Sequence, residues 1–234
     1  EENRKQGVLA VKRSIDFANS LGVTALVLHA GDVRSNWPAE KELCALFRKG
    51  QAHSQQYLEM KQRLVEDRAA MAEPRFLAVQ QSLVELLEYA APRKVCLGLE
   101  NRFHYMDIPT PNEMELLLTL GDPEHLGFWY DFGHARVLDR LGFFVQQDWL
   151  DRFSGRMVGI HLHDVIGIDD HNAPGLGEGD FDQLCGSVPE KAIRTFEVRP
   201  TISPEQLKAS LHFLAQKGCI HIQHQATTDA AHQN

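Results

Sequence analysis

Five short apolar runs in this chain each close on an acid or an imidazole, and that pattern limits the fold more than any other feature. The closing residues are His29 in VTALVLHAGD, Glu100 in KVCLGLENR, Asp131 in GFWYDFGHA, His161 in MVGIHLHD and Glu197 in RTFEVRP. The last four are spaced 31, 30 and 36 residues apart, the length of one strand-plus-helix unit. Near-continuous apolar runs are what strands buried on both faces require. Parallel strands joined by helices present their carboxyl ends on one face. Hard ligands gathered there make a metal or catalytic site on an α/β barrel.

The segments between the runs read accordingly. KQGVLAVKRSIDFANSLG is an amphipathic helix closed by Gly22. No strand precedes it and the chain opens on Glu1, so a processed or truncated amino terminus is the expectation. Strands are expected over residues 23–29, 95–100, 127–131, 157–163 and 193–198. In the second of these, Cys96, Gly98 and Glu100 share one face and Val95, Leu97 and Leu99 the other. Small residues and a carboxylate inward, bulky aliphatics outward, suit a barrel strand beside a site. The long connection 32–93 divides in two. FLAVQQSLVELLEYA is a helix that Glu73 and Pro74 would open, since proline is tolerated in the first turn. Residues of about 39–70 read as a helical insertion, because ordinary connections are short. Helices are also expected over 111–120, from about residue 135, and over 203–217 with Ser203 as N-cap. The division is one domain over residues 1–218 and a tail over 219–234. Five strands stand where a closed barrel has eight, and the expectation is a barrel lacking its first three.

Bulk properties exclude several classes. The net charge of −8 over 234 residues disfavours a nucleic-acid or anionic-membrane surface, which needs a positive field. No apolar run approaches a membrane span. Cys44, Cys96, Cys185 and Cys219 are scattered without a CxxC, which reads as reduced thiols in a cytoplasmic protein. There is no G-x-S-x-G and no phosphate loop, and the glycines of GLGEGD follow a strand without opening a helix.

Burying a lone carboxylate is costly, so Glu100 and Glu197 must be paired, metal-bound or protonated. The competing reading is a strand-end acid in water or paired with Arg102 or Arg199. Asp131 and His134 form D-x-x-H at a strand-to-helix turn, either two site residues or a helix N-cap with an incidental histidine. His161 and His163 share a face by parity, and spacing alone lets either be a metal ligand. Asp164 orients the site or caps the loop. Asp169 and His171 form D-x-H in the glycine loop and could carry another metal. His29 ends the first strand. His104, His125, His212, His221 and His224 belong to no constellation.

Together LHAG, LENR, DFGHA, HLHD, the loop DDHNAPGLGEGD and FEVRP resemble the xylose-isomerase-like TIM-barrel superfamily, whose members include sugar isomerases and epimerases and metal-dependent AP endonucleases. The resemblance covers nearly the whole chain after residue 7, apart from the helical insertion. It implies a TIM (β/α)-barrel with one divalent ion held by Glu100, Asp131, His161 and Glu197, and with His134 at the substrate. For endonuclease-like members it implies that His29, His134, Asp169 and His171 also bind metal, as a multinuclear zinc site. The chain departs from ketose epimerases in having no arginine over residues 165–168.

The reading that results is a metal-dependent isomerase or epimerase of a small sugar, sugar phosphate or related polyhydroxy carbonyl compound. Glu100 and Glu197 would move the proton through an enediolate, and His134 and Arg199 would hold hydroxyl oxygens. Three carboxylates and one imidazole suit Mn²⁺, Mg²⁺ or Co²⁺, and additional imidazoles favour Zn²⁺. The alternatives are a zinc-dependent AP-endonuclease-like phosphodiesterase and a non-catalytic ligand-binding barrel. A homodimer that completes the sheet, or a poorly active protein, is the expectation if Glu1 is the true start.

Overall fold

Alternation within each apolar run decides which side chains meet helices and which face inward. The structure, a computed structural model, describes residues 1–33 and 37–221, the side chain of residue 37 excepted. In chain order the elements are α1 (Glu2–Ser20), β1 (Ala25–Leu28), β2 (Gly31–Asp32), α2 (Trp37–Arg48), α3 (Gln55–Ala90), β3 (Cys96–Glu100), β4 (Asp107–Ile108) and α4 (Pro111–Leu118). They continue with β5 (Leu126–Asp131), α5 (Phe132–Arg140), α6 (Gln146–Phe153), β6 (Met157–Leu162), β7 (Asp164–Ile166), β8 (Asp169–Asn172), α7 (Phe181–Ser187), β9 (Ile193–Phe196) and α8 (Pro204–Gln216).

β1, β3, β5, β6 and β9 form one parallel sheet in that order, curled as half of a TIM barrel. Leu97, Leu99, Phe128, Tyr130, Ile160 and Leu162 are buried in the main core beneath the helices. The opposite face is built around Trp129. Gly98 and Gly159 stand on the neighbouring strands, and a Cβ on Gly159 would come within 2.2 Å of the indole. β6 carries one extra residue here, since Phe128 pairs with Met157 and Trp129 with Gly159. The bulge leaves the indole 5.3 Å from the His161 ring, edge to face, so Trp129 lies beneath the strand-end residues.

Several expectations are corrected. Pro74 lies inside a continuous 36-residue α3 and does not open a helix. Its position is exposed, and buried residues anchor both halves of α3: Tyr57, Leu64 and Arg68 before it, Leu83, Leu86 and Leu87 after it. One missing hydrogen bond is tolerated between two such anchors. The glycine-rich loop contains an antiparallel hairpin, β7 with β8, which turns at Gly167 (φ 60°). α5 begins at Phe132, earlier than expected, because Asp131 caps it. Cys185 and Cys219 are joined by a disulfide, which brings α7 to the segment after α8, while Cys44 and Cys96 are free. Cysteine usage therefore gives no argument for a reducing compartment. Most of the expected tail, including His224, lies outside the described residues. Among the described residues no helix is long and apolar enough to cross a membrane.

Candidate metal and catalytic site

β3, β5, β6 and β9 are neighbours in the sheet, so the residues at their carboxyl ends converge. Glu100, Asp131, His161 and Glu197 each offer a donor atom, and these atoms all lie within 4.8 Å of one another. Glu100 and Asp131 are buried, and the Glu197 side chain is 43% exposed. The His161 Nδ1 stands 2.9 Å from Glu100 Oε1, 3.3 Å from Asp131 Oδ2 and 2.7 Å from Glu197 Oε2. One ring nitrogen carries at most one proton and can satisfy one acceptor fully. Oε2 of Glu197 is buried, and its close contact with that nitrogen is poorly aligned, so the oxygen has no well-formed partner. Three carboxylates around one imidazole nitrogen repel one another unless a cation lies among them, so the donor set fits a divalent ion.

The electrostatics show the same strain. Burial pushes the Glu100 carboxyl up, but hydrogen bonds from His161 and His29 bring it down to about 2. Asp131 is held well below the usual range: its burial opposes ionisation, and the neighbouring His134, His163 and His161 overcome that. Burial would discharge His161, yet Asp131, Glu100 and Glu197 raise it to about 11. Glu197 is lowered by hydrogen bonds from His161 and His171.

A ring of groups holds these four. His29 Nε2 lies 2.6 Å from Glu100 Oε2, and Arg102 Nη1 donates to the same oxygen at 2.7 Å. The arginine pairing weighed from sequence thus coexists with the cluster. Asn101 donates to the Asp131 carbonyl and accepts from the Asp131 N–H, both at 2.8 Å, which ties the ends of β3 and β5 together. Asp131 Oδ1 also accepts the His134 N–H at 2.7 Å as the N-cap of α5. Capping and site membership are therefore one arrangement. The His134 Nδ1 sits 3.1 Å from the Asn101 carbonyl, a contact that makes Nδ1 the donor and turns Nε2 toward Asp170 at 3.7 Å.

Two further donor groups adjoin the first: His134 with Asp170 and His171, and His163 with His171 and Glu197. The sequence expectation placed Asp169 here, and that is corrected. Asp169 turns outward to Arg48 of α2 at 2.8 Å, and Asp170 takes the inward place, 3.0 Å from His171 Nδ1. An irregular register between β7 and β8 and a left-handed His171 (φ 56°) shift the parity by one residue. His171 is raised to about 10 by hydrogen bonds with Asp170 and Glu197. Arg199 donates its N–H to the His171 carbonyl at 2.9 Å and its guanidinium to the Asp170 carbonyl. Asp164, buried, accepts N–H groups from Val165, Gly175, Gly177 and Gly179 at 2.8 to 2.9 Å. A Cβ on Gly177 would press to 2.5 Å from that carboxylate, which explains a glycine there.

Sequence reading missed Asn101, Trp129, His163 as an Asp131 partner, and Asp170. The only signals were Gly98 and Gly159, glycines inside the runs on either side of the Trp129 run, and the asparagine directly after Glu100.

Comparison with known proteins agrees with this architecture. The chain matches the profile of the xylose isomerase-like TIM barrel family over residues 1–217 and belongs to that family. Among solved structures it is similar to a D-tagatose 3-epimerase-like protein, with 19% identity and a TM-score of 0.62 over 92% of this chain and 69% of that one. It is similar to a xylose isomerase domain protein from Planctomyces limnophilus, with 17% identity and a TM-score of 0.61 over 93% of this chain and 67% of that one. A Thermus thermophilus protein soaked with zinc chloride aligns with 22% identity and a TM-score of 0.58 over 93% of this chain and 70% of that one. No protein of curated function matches the sequence.

Proposed function

We propose that the chain is a divalent-metal-dependent isomerase or epimerase of a small sugar, sugar phosphate or related polyhydroxy carbonyl compound. The observation that carries this reading is the convergence of Glu100, Asp131, His161 and Glu197 at four adjacent strand ends. Names of structural neighbours with sugar epimerase and xylose isomerase character support the substrate class. A divalent ion held by the four residues supplies Lewis-acid stabilisation of the negative charge that develops on the substrate's oxygens. Mn²⁺, Mg²⁺ or Co²⁺ suits three carboxylates and one imidazole; Zn²⁺ suits the site if the histidine-rich second group is filled too.

Glu197 is the accessible carboxylate and, held ionised by its two imidazoles, takes the proton from the carbon beside the carbonyl. The C–H electron pair becomes the double bond of an enediolate. Return of a proton to the adjacent carbon isomerises the sugar; return to the other face of the same carbon epimerises it. For return to the other face Glu100 would be the partner carboxylate, passing on a proton from the His29 imidazole bonded to it. His134 Nε2 and Arg199 would hold hydroxyl oxygens. Glu197→Gln removes the base and leaves the shape. Turnover of a ketose and aldose panel should fall at least about 10³-fold with an unchanged circular dichroism spectrum; retained turnover removes Glu197 from the role.

One observation favours a second reading. The additional donors His134, Asp170 and His171 suit a multinuclear zinc phosphodiesterase of the AP-endonuclease kind. The net charge of −8 weighs against a DNA face. Chelator-sensitive nicking of an abasic duplex, with no sugar turnover, would replace the first reading with this one.

A further inference from the structure

His163 is fully buried, and both of its ring nitrogens are engaged. Nδ1 accepts the backbone N–H of His171 at 2.9 Å. An imidazole nitrogen that accepts a hydrogen bond carries no proton, so the proton of the neutral ring is on Nε2. Nε2 lies 2.9 and 3.0 Å from the two carboxylate oxygens of Asp131. No lone pair of this ring is left for an ion, which sets His163 apart from His161 and removes it from the donor group it would form with His171 and Glu197. The surroundings are shaped to the ring. Its face stacks on His171 at 4.5 Å and 8°, and a Cβ on Gly133 would come within 2.1 Å of its Cε1. The His171 N–H points at Nδ1, and His171 itself is left-handed, at φ 56°. That hairpin starts at Asp164, paired with Asn172, and the Asp164 carboxylate grips the loop beyond it through three glycine N–H groups.

We propose that His163 is a positioning residue that aims the Asp131 carboxylate, with its tautomer set by the His171 backbone N–H and that N–H held in place by the Asp164 clamp. The relay runs from the glycine loop to the hairpin, to an imidazole of fixed tautomer, to a carboxylate of the four-donor group. A donor behind a ligating carboxylate fixes its orientation, and losing such a partner typically lowers metal affinity 10–100-fold. Only this last step rests on the metal reading; the tautomer does not.

The experiment uses the full chain, labelled with ¹⁵N and stripped of metal. Long-range ¹H–¹⁵N NMR reads each ring's protonation, and the signals lost in His163→Gln assign the ring. The expected result is a proton on Nε2 and a bare, accepting Nδ1. A proton on Nδ1 overturns the proposal. Titration calorimetry with Mn²⁺ and with Zn²⁺ then compares variants. His163→Gln keeps an amide donor at the Nε2 position and should bind within about threefold of the native chain. His163→Phe should bind about 10–100-fold more weakly. Equal affinity in His163→Phe overturns the relay. Should that variant fail to fold, His163→Asn, whose amide cannot reach the Nε2 position, makes the same test. If the native chain binds neither ion, the metal reading falls, and the tautomer alone decides the role of His163.

Discussion

Gly159 shows how much of the site depends on what a residue lacks. A methyl there would sit 2.2 Å from the Trp129 ring, the aromatic floor beneath His161. Gly159→Ala should destabilise the fold by about 1–3 kcal/mol through overpacking, read as a lower denaturant midpoint. It should also weaken metal binding, because the indole packs edge to face on His161 and its displacement would disturb that ring. At this scale the four principal donors were legible, since each ends an apolar run and the interval between them is one strand-plus-helix unit. Asp169 was misjudged for a definable reason. Strand parity holds only while the backbone stays extended, and the left-handed His171 with an irregular hairpin register moves the inward place to Asp170. Choosing between His161 and His163 was beyond parity for the opposite reason. The two share a face, and only the backbone N–H of His171, eight residues on, separates their roles.

Among the elements, α3 departs most from its sequence reading. Proline usually marks a boundary, but here its neighbours in space decide. Arg68, nearly fully buried on α3, donates to the carbonyls of Tyr105 and Asp107 and forms two bonds to Glu113 at the start of α4. This clamp fixes the helix upstream of Pro74, so the chain has no freedom to break there. Pro74→Ala should therefore stabilise the protein by roughly 1–3 kcal/mol, seen as a raised denaturant midpoint with an unchanged slope. Arg68→Ala should cost about 3–5 kcal/mol, because it strands the Glu113 carboxylate and two carbonyls. An Arg68→Ala chain as stable as the native one would show that the clamp holds nothing. No periodicity could have announced the clamp, for a lone arginine on a charged helix reads as a solvated side chain.

At the scale of the molecule, the sheet has two unpaired edges, β1 and β9, among the described residues. Beside β1 lie Phe17, Leu21 and Val23, which are 67%, 62% and 45% exposed. An open edge next to an apolar stripe favours association. The chain should therefore self-associate in solution, and light scattering after size exclusion should show a dimer or larger species; a monodisperse monomer would contradict this. Metal should act on the whole fold. If an ion binds only the folded state, saturation to 100 times its dissociation constant adds about 2.7 kcal/mol, and a chelator should lower the thermal midpoint accordingly. The half-barrel architecture was legible because its period is long and regular. The disulfide was not, since two cysteines far apart in sequence meet only through the packing of α7 and α8.

Spatial order in the main sheet is also chain order: β1, β3, β5, β6, β9. Each strand therefore docks on the one made just before it. During synthesis the sheet can grow one unit at a time, with short-range closures and little waiting. The binding centre cannot grow that way. Its first donor is residue 100 and its last is residue 197. On the ribosome the nascent chain would carry two buried carboxylates and one imidazole before Glu197 emerges, so the four-donor cluster would be completed in a single late event, when β9 joins the edge.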